Sequence, residues 1–111
     1  MGTMEKTALE SAVLDRFHRL YQTHGFPPAE SIGVLRRENT GSGRYVDLEC
    51  DALLSLEDGY IDLAGSLIEM AGLPNGMMAV VFVQEGHPTF LELTVYGGDS
   101  WNGEERDWRI V

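Results

Sequence analysis

The sequence contains a single cysteine, Cys50, which excludes two classes of small protein. One thiol cannot form an intrachain disulfide, and it cannot supply a cysteine cluster for zinc. No apolar run approaches the roughly 20 residues that a membrane helix needs, and the N-terminus lacks the basic and apolar regions of a signal peptide. These absences predict a cytoplasmic protein that does not bind membranes, in which Cys50 is a small buried hydrophobe.

Cationic side chains are missing from more than half of the chain. Residues 45–105 contain twelve acidic residues and no Lys or Arg, whereas residues 1–44 are close to neutral. Three arginines of the first part, Arg36, Arg37 and Arg44, are expected to pair with acids of neighbouring strands or with the nearby Glu38. The net charge of −10 repels nucleic acid and anionic membranes and attracts cationic proteins. The charge therefore predicts no nucleic-acid binding, and either a cationic protein partner or solubility alone.

Motifs for catalysis and for metal binding are also absent. The three histidines, His18, His24 and His87, have no metal-binding spacing, and the acidic turns do not match a calcium loop. Asp47 and Glu49 share one face of a predicted strand, but acids at alternate strand positions usually indicate a solvated face rather than a catalytic pair. The sequence therefore predicts no metal, no cofactor and no catalytic residue, and a protein that is not an enzyme.

Apolar residues at helical spacing predict a first helix over residues 5–24. Thr3 is a candidate cap at its start. Gly25 can take the left-handed conformation that ends a helix, and Pro27 and Pro28 prevent its continuation.

Two hairpins are predicted after this helix. Residues 32–38 and 44–50 form the first, around a turn rich in Gly and Asn. Residues 77–83 and 89–96 form the second, and the nearly continuous apolar character of 77–83 predicts a central strand covered on both faces, or nearly so. Apolar and polar residues alternate in the partner strands, so the sheet should be antiparallel and covered on one side only.

The segment between the hairpins predicts a second, short helix over residues 60–71, capped by Asp58 and ended by Gly72. Residues 108–111 are a candidate last strand. Together these elements predict a single α+β domain over residues 1–111, in the order α-β-β-α-β-β. Its antiparallel sheet should have four to five strands, with the helices packed on one face.

The loop after the last long strand mixes turn-forming residues, acids and tryptophan. Loops on a rigid sheet are frequent sites of binding residues, and tryptophan is enriched at binding hot spots. Two interpretations stay open: the rings close the core, which we favour for Trp108, or the loop is a contact surface. The residues predicted to contact a partner are Asp99, Trp101, Glu104 and Glu105, with Asp58 and Asp62 as second choices.

Size and charge together predict a small acidic protein-binding module, such as an inhibitor or immunity-type partner of a basic bacterial protein, which would associate through complementary charge. The first alternative is a small-ligand-binding or enzymatic domain. Its pocket would lie between the first helix and the sheet, with Tyr45, His87 or Tyr96 at the rim. The second alternative is a structural homodimer formed by edge-strand pairing or by the first helix.

Overall fold

One α-helix lies against a seven-stranded antiparallel sheet in the computed structural model, which describes residues 2–111. The helix and strands are α1 (Ala8–Tyr21), β1 (Gly33–Asn39), β2 (Gly43–Glu49), β3 (Gly59–Asp62), β4 (Ile68–Met70), β5 (Leu73–Gln84), β6 (His87–Val95) and β7 (Arg109–Ile110). The strand order is β1-β2-β6-β5-β4-β7, and β3 pairs with the part of β5 that β4 leaves free. The α+β class is confirmed, whereas the predicted strand count and order are wrong. Met1, which the predicted domain includes, lies outside the described residues.

The α1 helix begins with a capping box one turn later than predicted. The cap is Thr7 rather than Thr3: the Glu10 N–H donates to Thr7 Oγ1, and the Thr7 N–H donates to the Glu10 carboxylate. A 3-10 turn, Gln22–His24, extends the helix to Gly25. The φ of Gly25 is 93°, so the predicted left-handed stop is confirmed.

Both predicted hairpins are present, and β2 joins them by pairing with β6. The β5 strand is longer than predicted, because it begins at Leu73 instead of Met77. Asn75 and Gly76, a residue pair typical of turns, lie inside this strand. Gly76 has a φ of 70°, and this backbone accommodates an irregular pairing between β5 and β4.

The predicted helix over residues 60–71 is wrong, because this segment forms β3 and β4. Between the two strands, Ala64 and Gly65 have φ values of 53° and 90°. Consecutive left-handed residues turn the chain and cannot continue a right-handed helix. Gly59 and Gly72 also have positive φ, so turns bound the segment on both sides.

The core lies between α1 and one face of the sheet. Four apolar α1 side chains are completely buried there: Leu9, Val13, Leu14 and Phe17. The strand residues that meet them alternate along each strand and include Val34, Val46, Leu48, Ala79, Val81, Leu91 and Leu93. These side chains fill the space in which a ligand pocket was predicted. Trp108 and Cys50 are half-buried at the margin of this core, and burial raises the pKa of the Cys50 thiol.

No helix covers the opposite face of the sheet in the part of the chain that the structure describes. The shortest dimension of the molecule is 20 Å, which corresponds to one helix layer on one sheet layer. On β5 the side chains that point away from α1, Met78, Val80 and Phe82, are only half-buried. The strand is central as predicted, but its second face is only partly covered. Within residues 2–111, no helix has the length and apolar character needed to cross a membrane.

Candidate functional site

The loop over residues 96–108 folds back onto the molecule. Trp101 is 5% exposed and belongs to the core. Its backbone N–H donates to Gly41 O at 2.8 Å, and its ring Nε1 donates to Glu104 O at 2.7 Å. The interpretation in which the ring closes the core therefore describes Trp101, whose side chain has almost no surface to offer a partner.

Glu105 is also bound inside the molecule. Its Oε1 accepts a hydrogen bond from the Leu9 N–H at 3.1 Å, one of the first-turn amides of α1 that lack a partner within the helix. Its Oε2 accepts a hydrogen bond from Arg44 Nη1 at 2.5 Å. The carboxylate thus ties the loop to the start of α1 and to the sheet.

Arg44 is the centre of a buried charge network. Its guanidinium also donates to Glu10 Oε2 at 3.3 Å, to Asn39 Oδ1 and to Gly103 O. Its central carbon lies 4.8 Å from the ring centroid of Trp101, a cation–π distance. Because these contacts surround the whole guanidinium, the buried charge is compensated.

Glu10 is the fully buried acid of the same network. Arg37 holds it with two hydrogen bonds of 2.6 Å, one to each carboxylate oxygen. Burial on its own raises the pKa of Glu10, but the hydrogen bonds from Arg37 and Thr7 and the charges of Arg37 and Arg44 outweigh it and lower the pKa below its usual value. The prediction that the arginines pair with acids of neighbouring strands is wrong for Arg37 and Arg44, whose acids come from α1 and the last loop.

The other residues predicted to contact a partner keep surface positions, but in separate places. They are Asp99, Glu104, Asp58 and Asp62. Asp99, in the loop after β6, contacts Asn75 near the start of β5. Asp58 does not cap a helix, and its carboxylate lies against the β5–β6 turn. Glu104 is exposed in the last loop, and Asp62 is exposed on β3. Their roles in partner binding stay predictions.

Four aromatic side chains from four strands meet on the face of the sheet opposite α1, which we call the outer face. Phe90, Phe82 and Tyr60 are successive cross-strand partners on β6, β5 and β3, with ring centroids 5.1 Å and 5.0 Å apart. Tyr45 of β2 stacks on Phe90 at 4.6 Å. Tyr60 is 61% exposed. We call these four residues the aromatic cluster.

Acidic and apolar side chains alternate in the neighbouring row of the outer face. The strand pairing aligns five residues across the sheet, in the order Glu38, Tyr45, Glu92, Val80 and Asp62. Since adjacent strands lie roughly 4.8 Å apart, acids on every second strand are separated by roughly 10 Å. We call Glu38, Glu92 and Asp62 the acidic row. None of the three forms an ion pair with another residue of the 2–111 range.

One further acid lies beside the aromatic cluster. Asp47, the cross-strand partner of Phe90, pairs with Arg36 at 3.2 Å on the surface, so for Arg36 the prediction of pairing across the sheet is confirmed. Burial raises the pKa of Tyr45, and the neighbouring Tyr60, Glu92 and Asp47 raise it further. The raised pKa of Tyr45 thus comes first from burial and only then from the neighbouring charges of the outer face.

The sequence predicted parts of the outer face but not its assembly. Alternation along single strands puts Tyr45 on the same side of its strand as Asp47, and Phe90 on the same side of its strand as Glu92. Because strand order was not predicted, the sequence did not show that these two sides join in one face. Tyr60 was missed altogether, since its segment was interpreted as a helix.

The residues proposed for the rim of a ligand pocket lie in different places. Tyr45 belongs to the aromatic cluster, and His87 Nδ1 lies 2.9 Å from Ala52 O. Tyr96 lines a depression of about 340 Å³ together with Asp62, at the surface rather than between α1 and the sheet. In residues 2–111 no group of three or more His, Cys, Asp or Glu side chains is placed to hold a metal ion.

The outer face therefore joins one exposed ring, Tyr60, and three half-buried rings to carboxylates that form no ion pair within residues 2–111, all on one sheet. Comparison of the chain with protein-family models, curated proteins and solved structures finds no match.

Proposed function

We propose that the protein is an acidic protein-binding module, of the inhibitor or immunity type, which binds a basic bacterial protein on the outer face of its sheet. The observation that carries this proposal is the aromatic cluster beside the acidic row, on a face that no described helix covers. The α1 helix covers the other face of the sheet, so a partner bound to the outer face would supply the second covering layer.

The aromatic cluster supports a binding role because it is costly to leave in water. Rings bury a large area on association, and aromatic residues dominate the binding energy of many interfaces. Scattered apolar residues on a surface are ordinary, but adjoining ones mark interaction sites. Here Tyr60, Phe82 and Phe90 adjoin one another across three strands.

The acidic row supports a cationic partner. Glu38, Glu92 and Asp62 form no ion pair within residues 2–111, since Arg36, the neighbouring cation on this face, pairs with Asp47 instead. Residues 45–105 contain no Lys or Arg that could neutralise Glu92 and Asp62 from nearby in sequence. Complementary charge speeds the encounter with a cationic protein. The same charge opposes nucleic acid, and it opposes a second copy docked face to face, since acids would then meet acids.

The experiment is a tagged pull-down from the native host, washed at low salt and at about 1 M salt, where the Debye length is roughly 3 Å. Bound proteins are identified by mass spectrometry. A basic partner is then purified and titrated against the wild type by calorimetry. We expect roughly stoichiometric binding that weakens as salt rises.

Three variants locate the binding surface. The outer-face variant combines Tyr60→Ala with Glu92→Gln, and the loop variant combines Asp99→Asn with Glu104→Gln. Glu30→Gln, at an exposed site on the α1 side, is the single-charge control. We expect the outer-face variant alone to weaken binding at least about tenfold, which is about 1.4 kcal/mol. Loss of binding in the loop variant alone would move the site to the last loop, and the absence of any partner would end the proposal of a binding module.

A further inference from the structure

We propose that the outer face selects arginine over lysine in its partner. The occupant is a cationic protein segment whose guanidinium groups pair with Glu92 and Asp62 while their planes lie against the rings of Tyr45 and Tyr60. This inference rests on the proposed function and specifies the partner's chemistry.

Each of these two carboxylates has an aromatic ring as its neighbour on the same face. Glu92 is directly opposite Tyr45 in the β2–β6 pairing, where side chains lie roughly 5 Å apart. Asp62 follows Tyr60 by two residues along β3, so both project from the same side of that strand. A cation that reaches either carboxylate therefore meets a ring beside it.

This combination suits a guanidinium better than an ammonium. A guanidinium is planar and weakly hydrated, so it can stack on a ring while its fork of N–H groups pairs with a carboxylate. The lysine ammonium is compact and strongly hydrated, so it loses more water when it is placed on apolar surface. Two oligopeptides of equal charge should therefore bind the outer face differently.

The carboxylate of Asp62 is held in place before any partner arrives. Its Oδ1 accepts a hydrogen bond from the Ala64 N–H at 2.8 Å, which fixes the side chain against the β3–β4 turn. A fixed carboxylate loses less conformational entropy on binding.

The molecule contains an example of the same chemistry in its interior. Arg44 lies over the ring of Trp101 at 4.8 Å while it pairs with Glu105. Ring, carboxylate and guanidinium are thus compatible in one cluster of this protein. On the outer face the ring and the carboxylate are present, and the partner supplies the guanidinium.

The test uses fluorescein-labelled octa-arginine and octa-lysine, titrated with the full chain and followed by fluorescence anisotropy at about 0.15 M salt, where the Debye length is roughly 8 Å. We expect octa-arginine to bind at least about fivefold more tightly than octa-lysine. Tyr60→Leu should remove most of this preference, whereas Tyr60→Phe, which keeps the ring, should retain it. Circular dichroism confirms that each variant is folded.

Charge at the site is tested separately. Glu92→Gln should weaken the binding of octa-arginine more than Glu30→Gln does, although Glu30→Gln removes the same charge from the α1 side. Equal binding of the two peptides to the wild type would overturn the arginine preference, and the proposed function would survive if Glu92→Gln still weakened both peptides more than Glu30→Gln. Equal effects of Glu92→Gln and Glu30→Gln would show non-specific attraction and would overturn the inference and its site together. Tighter binding of a labelled RNA octamer than of octa-arginine would also overturn it.

Discussion

Arg44 connects three parts of the molecule through one side chain. It is the second residue of β2, and its guanidinium reaches Glu10 of α1 and Glu105 of the last loop. The charge is almost completely enclosed. A buried ion that loses its partner remains in a medium that solvates it poorly, so the cost of removing one member of such a network exceeds the value of one contact.

We expect Arg44→Met to lower the free energy of unfolding by about 3–5 kcal/mol, because Glu10 and Glu105 would lose a buried cation. Urea denaturation followed by tryptophan fluorescence measures this loss. Arg36→Met is the matched control: Arg36 pairs with Asp47 on the exposed outer face, and an exposed pair contributes about 0–1 kcal/mol. Similar losses in the two variants would contradict the buried network.

The lowered pKa of Glu10 makes a specific contribution to stability that depends on pH. Its pKa in the folded protein lies below the ordinary value of 4.5, so this contribution is fully present above about pH 4.5 and is lost as the pH falls through the folded-state pKa. We expect Glu10→Gln to be less stable than the wild type at pH 7, and the difference to shrink below about pH 4.5. Urea denaturation of both proteins between pH 7 and pH 3 measures the difference. A difference that is constant over this range would show that the ionised form of Glu10 is not the form that stabilises the fold.

At the scale of elements, the helix–strand error over residues 60–71 has a physical origin. The apolar residues Ile61, Leu67 and Ile68 satisfy a helical repeat, but Ile61 belongs to β3, Ile68 belongs to β4, and Leu67 lies in the segment that joins these two short strands. Local periodicity cannot distinguish these cases when each strand has only three or four residues. The signal that did distinguish them was Gly65, since glycine disfavours a helix and permits a left-handed turn.

The two hairpins, unlike the outer face, were predictable from local sequence. The two hairpins depend on short-range turns and on alternation within each strand, so their prediction was confirmed. The outer face depends on pairing between segments distant in the chain, such as Tyr60 with Phe82. Burial of Trp101 depends likewise on the distant Arg44 and Gly41. The loop composition alone therefore left both interpretations of Trp101 open.

Ala64→Gly distinguishes the observed turn from a helix by the sign of its effect. Ala64 has a φ of 53°, where an alanine is strained by about 1–2 kcal/mol and a glycine is not. After allowance for the greater freedom of glycine in the unfolded chain, we expect a gain of up to about 1 kcal/mol in the free energy of unfolding. In a helix the same substitution would cost about 1 kcal/mol. Chemical denaturation measures the effect, and Ala12→Gly in the interior of α1 is the control that should be destabilised.

At the scale of the whole molecule, the cations and the acids have different locations. Arg37 and Arg44 neutralise buried or nearly buried acids of the internal network, and this use leaves the surface with almost the entire net charge of −10. On the outer face the acidic row keeps its charges without internal cations. Charge of one sign concentrated on a surface repels itself in the free protein and becomes favourable when a cationic partner arrives.

This separation predicts opposite effects of one double variant on stability and on binding. Removing two of the three charges of the acidic row by Glu92→Gln with Asp62→Asn should raise the free energy of unfolding at low salt by a few tenths of a kcal/mol, because two acids roughly 10 Å apart no longer repel. The asparagine oxygen can still accept the hydrogen bond from the Ala64 N–H, so the β3–β4 turn is preserved. The same variant should weaken the binding of the cationic partner at least about tenfold.

The effect on stability is measured by denaturation at low salt and at about 0.5 M salt, where screening removes the gain. The effect on binding is measured by calorimetric titration of the partner. Glu105→Gln, which disrupts the internal network, should instead destabilise the protein at both salt concentrations. If the double variant were also less stable than the wild type, the acidic row would be part of the folded structure's own support, and its charges would no longer argue for a partner.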